Sequence, residues 1–218
     1  MKAQEAYNHW SSTYDDDRNL TRDLDQAITR NILANLRCES VLEIGCGTGK
    51  NTALLTEIGA YVFAFDFSEA MIDKARRKLR AGNVSLVVAD LSQRWPCQER
   101  AVDLIVCNLV LEHIRDLFFV FGEADRVLVD GGRFFISELH PLRQYQGTRA
   151  NFQRDQGTTE IEAFVHHVSD FTGAAANAGL SLAGTNEWWH EEDQGKPPRL
   201  VSFMFEKRGR NRFRKTIA

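Results

Sequence analysis

From Leu24 to Ser137 the chain alternates segments of helical apolar spacing with short, continuous apolar runs. Leu24, Ala27, Ile28, Ile32, Leu33 and Leu36 recur every three or four residues and predict a helix, with Thr21 placed to cap it. Val41–Ile44 is a buried-strand run, followed by a glycine loop and a helix through Ala53, Leu54 and Leu55 that ends near Gly59. Tyr61–Phe65 predicts a second strand stopping at Asp66. Ser68 then caps a helix whose apolar face holds Met71, Ile72, Ala75 and Leu79. Val84–Val88, Val102–Cys107 and Phe134–Ser137 predict three more strands. The helix Phe118–Leu128 precedes the last of them and is closed by Asp130-Gly131-Gly132. This alternation predicts a parallel sheet with helices on both faces and right-handed crossovers.

The rhythm changes after Ser137. Gly147–Arg154 and Thr158–His166 flank an Asp155-Gln156-Gly157 turn and predict an inserted hairpin. Asp170–Ala178 reads as a helix stopped by Gly179. Ser181–His190 and Leu200–Phe205 read as strands, and the Gly195 and Pro197-Pro198 linker between them favours an antiparallel pair. The expected fold is therefore α/β, Rossmann-like and doubly wound. Its seven-stranded sheet is mostly parallel, with an antiparallel C-terminal strand and an inserted lid hairpin. The expected organisation is a single domain over residues 1–206: N-terminal cap helices over 1–37, a cofactor-binding core over 38–139, a substrate lid over 140–167 and a C-terminal helix and strand pair over 168–206. A basic tail follows over 207–218.

The loop after the first strand reads Glu43-Ile-Gly-Cys-Gly-Thr-Gly49. A strand running into glycines before a helix is how an α/β sheet opens a nucleotide crevice at its carboxyl edge. A dinucleotide loop has the spacing G-x-G-x-x-G; Gly45, Gly47 and Gly49 are one residue tighter. Asp66 and Asp90 end the second and third strands. A carboxylate at the second strand can accept hydrogen bonds from both hydroxyls of a ribose diol. Phe67 and Met71 would offer apolar surface to an adenine ring, Asp90 would accept from its amino group, and the Leu91 backbone would meet a ring nitrogen. Taken singly, each acid could equally be a strand-end or capping carboxylate. Their order behind one glycine loop predicts a nucleoside-binding crevice.

Composition narrows the partners. The chain has 218 residues, 43% hydrophobic and 26% charged, with a net charge of −3. Lys207, Arg208, Arg210, Arg212, Arg214 and Lys215 crowd its end, so the body is more acidic than the total shows. An acidic body is a poor nucleic-acid surface, and the basic end reads as a solvated terminus. No apolar run approaches a membrane span, and Met1–Asp17 has no secretory pattern. Cys38, Cys46, Cys97 and Cys107 lack zinc-site spacing and read as reduced thiols of a cytoplasmic protein, with no metal expected.

The segment from about Leu24 to Ser137 resembles the class I S-adenosylmethionine-dependent methyltransferases. The resemblance rests on Glu43-Ile-Gly-Cys-Gly-Thr-Gly49, Asp66 in Phe65-Asp-Phe-Ser68, Asp90 in Val88-Ala-Asp-Leu91, and Asp103-Leu-Ile-Val-Cys-Asn108 followed by Leu109-Val-Leu-Glu-His113. Within that family the run is similar to the small-molecule subgroup of ubiquinone, menaquinone and biotin-pathway enzymes. The resemblance implies S-adenosylmethionine as cofactor and S-adenosylhomocysteine as product. It implies that Gly45 and Gly47 pass the methionine part, with Cys46, Thr48 and Gly49 completing the loop. It further implies Asp66 at the ribose, Asp90 at the adenine, Asn108 near the sulfonium and Tyr14 as a covering aromatic. Cys107-Asn-Leu-Val110 departs from the Asn/Asp-Pro-Pro-Tyr of amino-methylating DNA enzymes, and the paired-glutamate loop of protein arginine methyltransferases is missing.

Candidates for acceptor chemistry lie after the fifth strand. His140, in Glu138-Leu-His-Pro141, reads either as a general base near neutral pH or as a loop histidine bonded to backbone. Arg143, Tyr145 and Arg149 could meet an acidic acceptor or stay solvated. His166 and His167 would face opposite sides of a strand, as would Trp188 and Trp189, placing His166 and Trp188 as candidate pocket residues. Phe152, Ile161, Phe164 and Trp10 offer an apolar face to close over an acceptor. The alternative for this insertion is a hairpin that covers a sheet edge or supports a homodimer contact. Three functions compete: a methyltransferase for a small organic acceptor, a cofactor-binding regulator or assembly factor without turnover, and a nicotinamide oxidoreductase, which the glycine spacing disfavours.

Overall fold

A computed structural model describes residues 3–148, 151–154 and 157–209. Expectations about Arg149, the Asp155-Gln156 pair, the side chain of Phe152 and the residues from 210 onward lie outside what it describes.

The chain opens with helices α1 (Ala3–Trp10) and α2 (Leu20–Leu33). Strand β1 (Cys38–Ile44), helix α3 (Thr52–Ile58), β2 (Gly59–Asp66), α4 (Glu69–Lys78) and β3 (Val84–Val88) follow. After β4 (Val102–Asn108) come α5 (Leu117–Val127), β5 (Leu128–Leu139) and the short α6 (Pro141–Tyr145). The hairpin β6 (Asn151–Arg154) and β7 (Gly157–Glu160) precedes α7 (Val168–Asn177), β8 (Leu180–Trp188) and β9 (Leu200–Lys207). Seven strands form one sheet in the order β3-β2-β1-β4-β5-β9-β8. The first five are parallel, and β9 pairs antiparallel with both β5 and β8. This is the expected mostly parallel, doubly wound sheet. β6 and β7 pair with each other as a separate antiparallel hairpin.

Strand alternation divides the core. Leu42, Ile44, Ile105 and Phe134 face one side and pack with Phe121 of α5 and Phe171 of α7. Val41, Val62, Leu104, Val106 and Phe135 face the other and pack with Ile28 of α2 and Leu54 and Leu55 of α3. Both faces are covered, which explains why these strands read as continuous apolar runs. The sheet order reverses between β1 and β4, and in such a sheet the crevice opens there, at the carboxyl ends.

Three local expectations need correction. Asn19, rather than Thr21, caps α2, its Oδ1 accepting from the Thr21 and Arg22 amides at 3.1 and 3.0 Å. Asp130-Gly131-Gly132 lies inside β5, where the register with β4 slips, and α5 ends earlier. Lys207 does not belong to a solvated tail. It is the last residue of β9, buried, with Nζ donating to the Leu128 carbonyl at 3.1 Å and pairing with Asp125 at 3.2 Å.

Candidate functional site

The loop after β1 is held by backbone. The Gly45 and Cys46 amides both donate to the Phe65 carbonyl of β2, at 2.8 and 3.1 Å. Gly45 and Gly47 have φ of +71° and +53°, in the left-handed region that glycine enters without a Cβ penalty. Their surroundings differ. A Cβ on Gly45 would sit 2.2 Å from Val110 Cγ2, whereas one on Gly47 would meet nothing within 4 Å. Gly45 thus lets two chain segments touch, and Gly47 leaves open space on the side a Cβ would occupy.

That space is a cleft of about 580 Å³ across the carboxyl ends of β1, β2 and β4. Of the residues expected at a cofactor, Tyr14, Gly45, Gly47, Asp66, Phe67, Met71, Asp90, Leu91 and Asn108 line it. Asp66 Oδ2 accepts from the Gly47 amide at 2.9 Å and Oδ1 from the Ser68 amide at 2.8 Å. Each oxygen keeps a lone pair for a ligand hydroxyl. Burial pushes the Asp66 carboxyl up to about 6, against the pull of those two amides. Asp90 Oδ1 is taken up by the Ser92 amide and hydroxyl, at 2.8 and 2.7 Å. Asn108 donates through Nδ2 to Asp25 and Thr29, at 2.7 and 2.9 Å, leaving its buried Oδ1 without a protein partner. Leu109, next in the chain, holds a φ of +55°, a strained value for a leucine and one that collects at ligand sites.

Glu43, Cys46, Thr48 and Gly49 do not line the cleft. Glu43 lies beneath the loop, accepts from the Thr52 hydroxyl, and is pushed up to about 8 by burial. Cys46 is buried, and burial raises its thiol. Thr48 is fully buried and bonds Asp15 at 2.6 Å, tying the loop to the N-terminal segment. A Cβ on Gly49 would press on Ala75 of α4 and on Leu79 just beyond it.

The acceptor-side expectations are largely corrected. His140 is buried away from both cavities; its Nδ1 accepts from the Leu142 amide at 3.2 Å and its Nε2 meets Glu187 at 3.1 Å. Nδ1 caps α6 and Nε2 is held by Glu187 of β8, so both ring nitrogens are engaged and neither is free to act as a base. Arg143 is buried and fixed by the Pro197 carbonyl at 3.1 Å and by Asp193 at 2.6 Å. Tyr145 is exposed and bonds His167 at 2.9 Å. His166 bonds the Ile114 carbonyl at 2.7 Å, and neither histidine is in a strand. Trp188 is half-buried with its Nε1 on Ser202 at 2.8 Å, and Trp189 is half exposed. None of these side chains lines either cavity.

A second cavity, of about 100 Å³, abuts the first through Tyr7, Tyr14 and Leu109. Trp10 lines it, together with Arg22, Glu112 and Thr148. Tyr7 is central and was not anticipated. Its ring lies 5.8 Å from Trp10, 6.3 Å from Tyr14, 6.0 Å from Phe67 and 5.5 Å from His113. His113, just beyond β4, faces the large cleft. Its Nδ1 lies 2.8 Å from the Glu162 carbonyl, which places the proton there and leaves Nε2 to accept from the Tyr7 hydroxyl at 3.0 Å. The strand-end logic that selected Asp66 and Asp90 would have reached His113 had it been carried past the end of β4. Phe164 also lines the cleft, its amide donating to the Glu112 carbonyl at 2.6 Å.

Residues 42–136 match a family described as a methyltransferase domain. Over 172 residues, 79% of its length, the chain is 30% identical to the biotin biosynthesis bifunctional protein BioHC of Cellvibrio japonicus. Over 112 residues, 51% of its length, it is 33% identical to the demethylmenaquinone methyltransferase of Clavibacter sepedonicus. It spans only 32% and 45% of those two relatives. In structure it is similar to the protein of a DhpI–SAH complex, with a TM-score of 0.73 and 21% identity, covering 95% of this chain and 96% of that one.

Proposed function

We propose, for a chain that carries a class I S-adenosylmethionine-dependent methyltransferase domain, that the whole protein methylates a small organic acceptor by in-line displacement in the described cleft. The observation that carries this reading is the meeting of an open glycine loop and a buried, partly satisfied carboxylate on one wall. Gly47 faces empty space, and Asp66 holds that loop while keeping acceptor capacity on both oxygens. Those features fit an adenosyl ligand. Asp66 would take the ribose hydroxyls, Phe67, Met71 and Leu91 would flank the base, and Asp90 would use Oδ2 for its amino group. Asn108 Oδ1 and the Gly45–Gly47 backbone would face the methionine part, with Tyr14 as cover.

When bound, the cofactor supplies an activated methyl group, so the protein has mainly to orient the acceptor and exclude water. Tyr7, Trp10 and Tyr14, drawn from the N-terminal segment, form an aromatic wall suited to both tasks. We read residues 140–167 as a lid, because Thr148, Glu162 and Phe164 reach the cavities from it. For an acceptor that must lose a proton, the Tyr7–His113 pair, with its Nε2 lone pair aimed at the Tyr7 hydroxyl, takes the role first sought at His140. Among the described residues no helix is long and apolar enough to cross a membrane. The test is incubation with methyl-labelled S-adenosylmethionine and a fractionated small-metabolite extract. Label should appear in a small product. Cofactor binding without any labelled product would favour the regulator or assembly factor, and label confined to macromolecules would refute the acceptor class.

A further inference from the structure

We propose that the smaller cavity is a carboxylate subsite in which Arg22 anchors the acceptor, so that the substrate class is a small organic acid; this rests on the methyl-transfer reading above. Arg22 is 9% exposed. Its guanidinium donates to the backbone carbonyls of Tyr14 and Asp17, and its Nε is buried with no hydrogen-bond partner. No carboxylate pairs with it among the described residues, whereas Arg143 and Arg199 share Asp193, and Arg126 holds Glu123 at 2.7 Å. A guanidinium stays charged at any relevant pH, and a buried charge without a counter-ion is costly. Tyr14 and Trp10 hold it in place, with the guanidinium carbon 4.0 and 5.3 Å from their ring centres. Cation–π contacts of this kind position the cation without neutralising it.

The cavity beside Arg22 has room for a group of several heavy atoms, and it adjoins the cofactor cleft, sharing Tyr7, Tyr14 and Leu109 with it. An acceptor held there by one end would present its other end to the methyl donor. The other ionisable groups facing this cavity are Tyr7 and Tyr14, whose phenol pKa values burial raises, and the carboxyl of Glu112. Burial raises the Glu112 pKa, and Glu138 nearby is pushed up to about 8 by burial and by the Glu112 charge. When protonated, the Glu112 carboxyl can donate a hydrogen bond to a bound carboxylate.

The test uses the full chain saturated with S-adenosylhomocysteine and titrated calorimetrically with acetate, butanoate and benzoate, each against its amide. At least one acid should bind tenfold or more tightly than its amide. Arg22→Gln should abolish that preference while changing S-adenosylhomocysteine affinity less than about twofold. If Arg22→Gln fails to fold, Arg22→Lys keeps the charge without the planar fork and should cut acid affinity several-fold. Equal binding of acids and amides by the wild type, or an acid preference that survives Arg22→Gln, would overturn the subsite. The acids and amides are also titrated without S-adenosylhomocysteine. Failure of that ligand to bind would count against methyl transfer alone, and the acid–amide comparison would still judge Arg22.

Discussion

The floor of the cleft is made of backbone from three neighbouring strand ends, and its roof is made of side chains from segments far apart in the chain. On the floor, Gly45, Gly47 and Asp66 are linked by amide hydrogen bonds within one βαβ unit. On the roof, Tyr7 of α1 meets His113 beyond β4, which in turn is held by Glu162 beyond the hairpin. A floor of this kind is specified locally and tolerates little change. A roof assembled from distant side chains can be re-surfaced residue by residue, which suits a fold whose cofactor is fixed and whose acceptor varies.

The comparison breaks most visibly at Gly45. Gly45→Ala places a Cβ in a left-handed conformation and 2.2 Å from Val110 Cγ2. It should cost about 2–5 kcal/mol of stability from the combined conformational penalty and overpacking. Gly47→Ala should cost only about 1–2 kcal/mol, from conformation alone. Urea unfolding of both variants measures the difference, and equal losses would mean the loop is not wedged against Val110.

A second test concerns the buried acids under each half, Glu43 below the floor and Glu138 below the roof. Burial pushes both from 4.5 up to about 8. Between these values the folded state keeps protons that the unfolded chain has lost, so stability falls as pH rises from about 5 to 8. Denaturant midpoints across that range should decline, and Glu138→Gln should flatten the slope. A slope that rises with pH, or that is unaltered by the substitution, would contradict the burial of an uncompensated carboxyl.

Asp66→Ala should weaken S-adenosylhomocysteine binding by about 1.5–3 kcal/mol, the range for hydrogen bonds to a charged group. Calorimetry on the variant decides it, and unchanged affinity would remove Asp66 from the site. The smallest effect is expected on the roof side. His140→Ala removes a helix cap and should lower stability by about 1 kcal/mol, with cofactor affinity intact. A large fall in turnover at unchanged stability would restore His140 as a base.

These halves also differed in how far the sequence revealed them. Strand ends, glycine spacing and the Ser68 cap are local signals, and they predicted the sheet and the cleft-lining run from Gly45 to Asn108. The side-chain roles after β5 were not legible. His140 looks like a base because it follows a strand end, but its fate is decided by Glu187, 47 residues away. Arg143 looks like a substrate arginine until Asp193, buried beneath it, becomes visible. Arg22 is the opposite case. Nothing in the sequence singles it out, and only the folding of Trp10 and Tyr14 over it reveals a buried cation. Pairing across long sequence separation leaves no period or spacing to read.

The most direct measurement is a crystal structure of the full chain grown with S-adenosylhomocysteine. The account predicts its ribose hydroxyls within hydrogen-bonding distance of both Asp66 oxygens and its sulfur turned toward Tyr7 and Tyr14. A ligand bound elsewhere, or a ribose held by some other residue while the Gly47 face stays vacant, would contradict it.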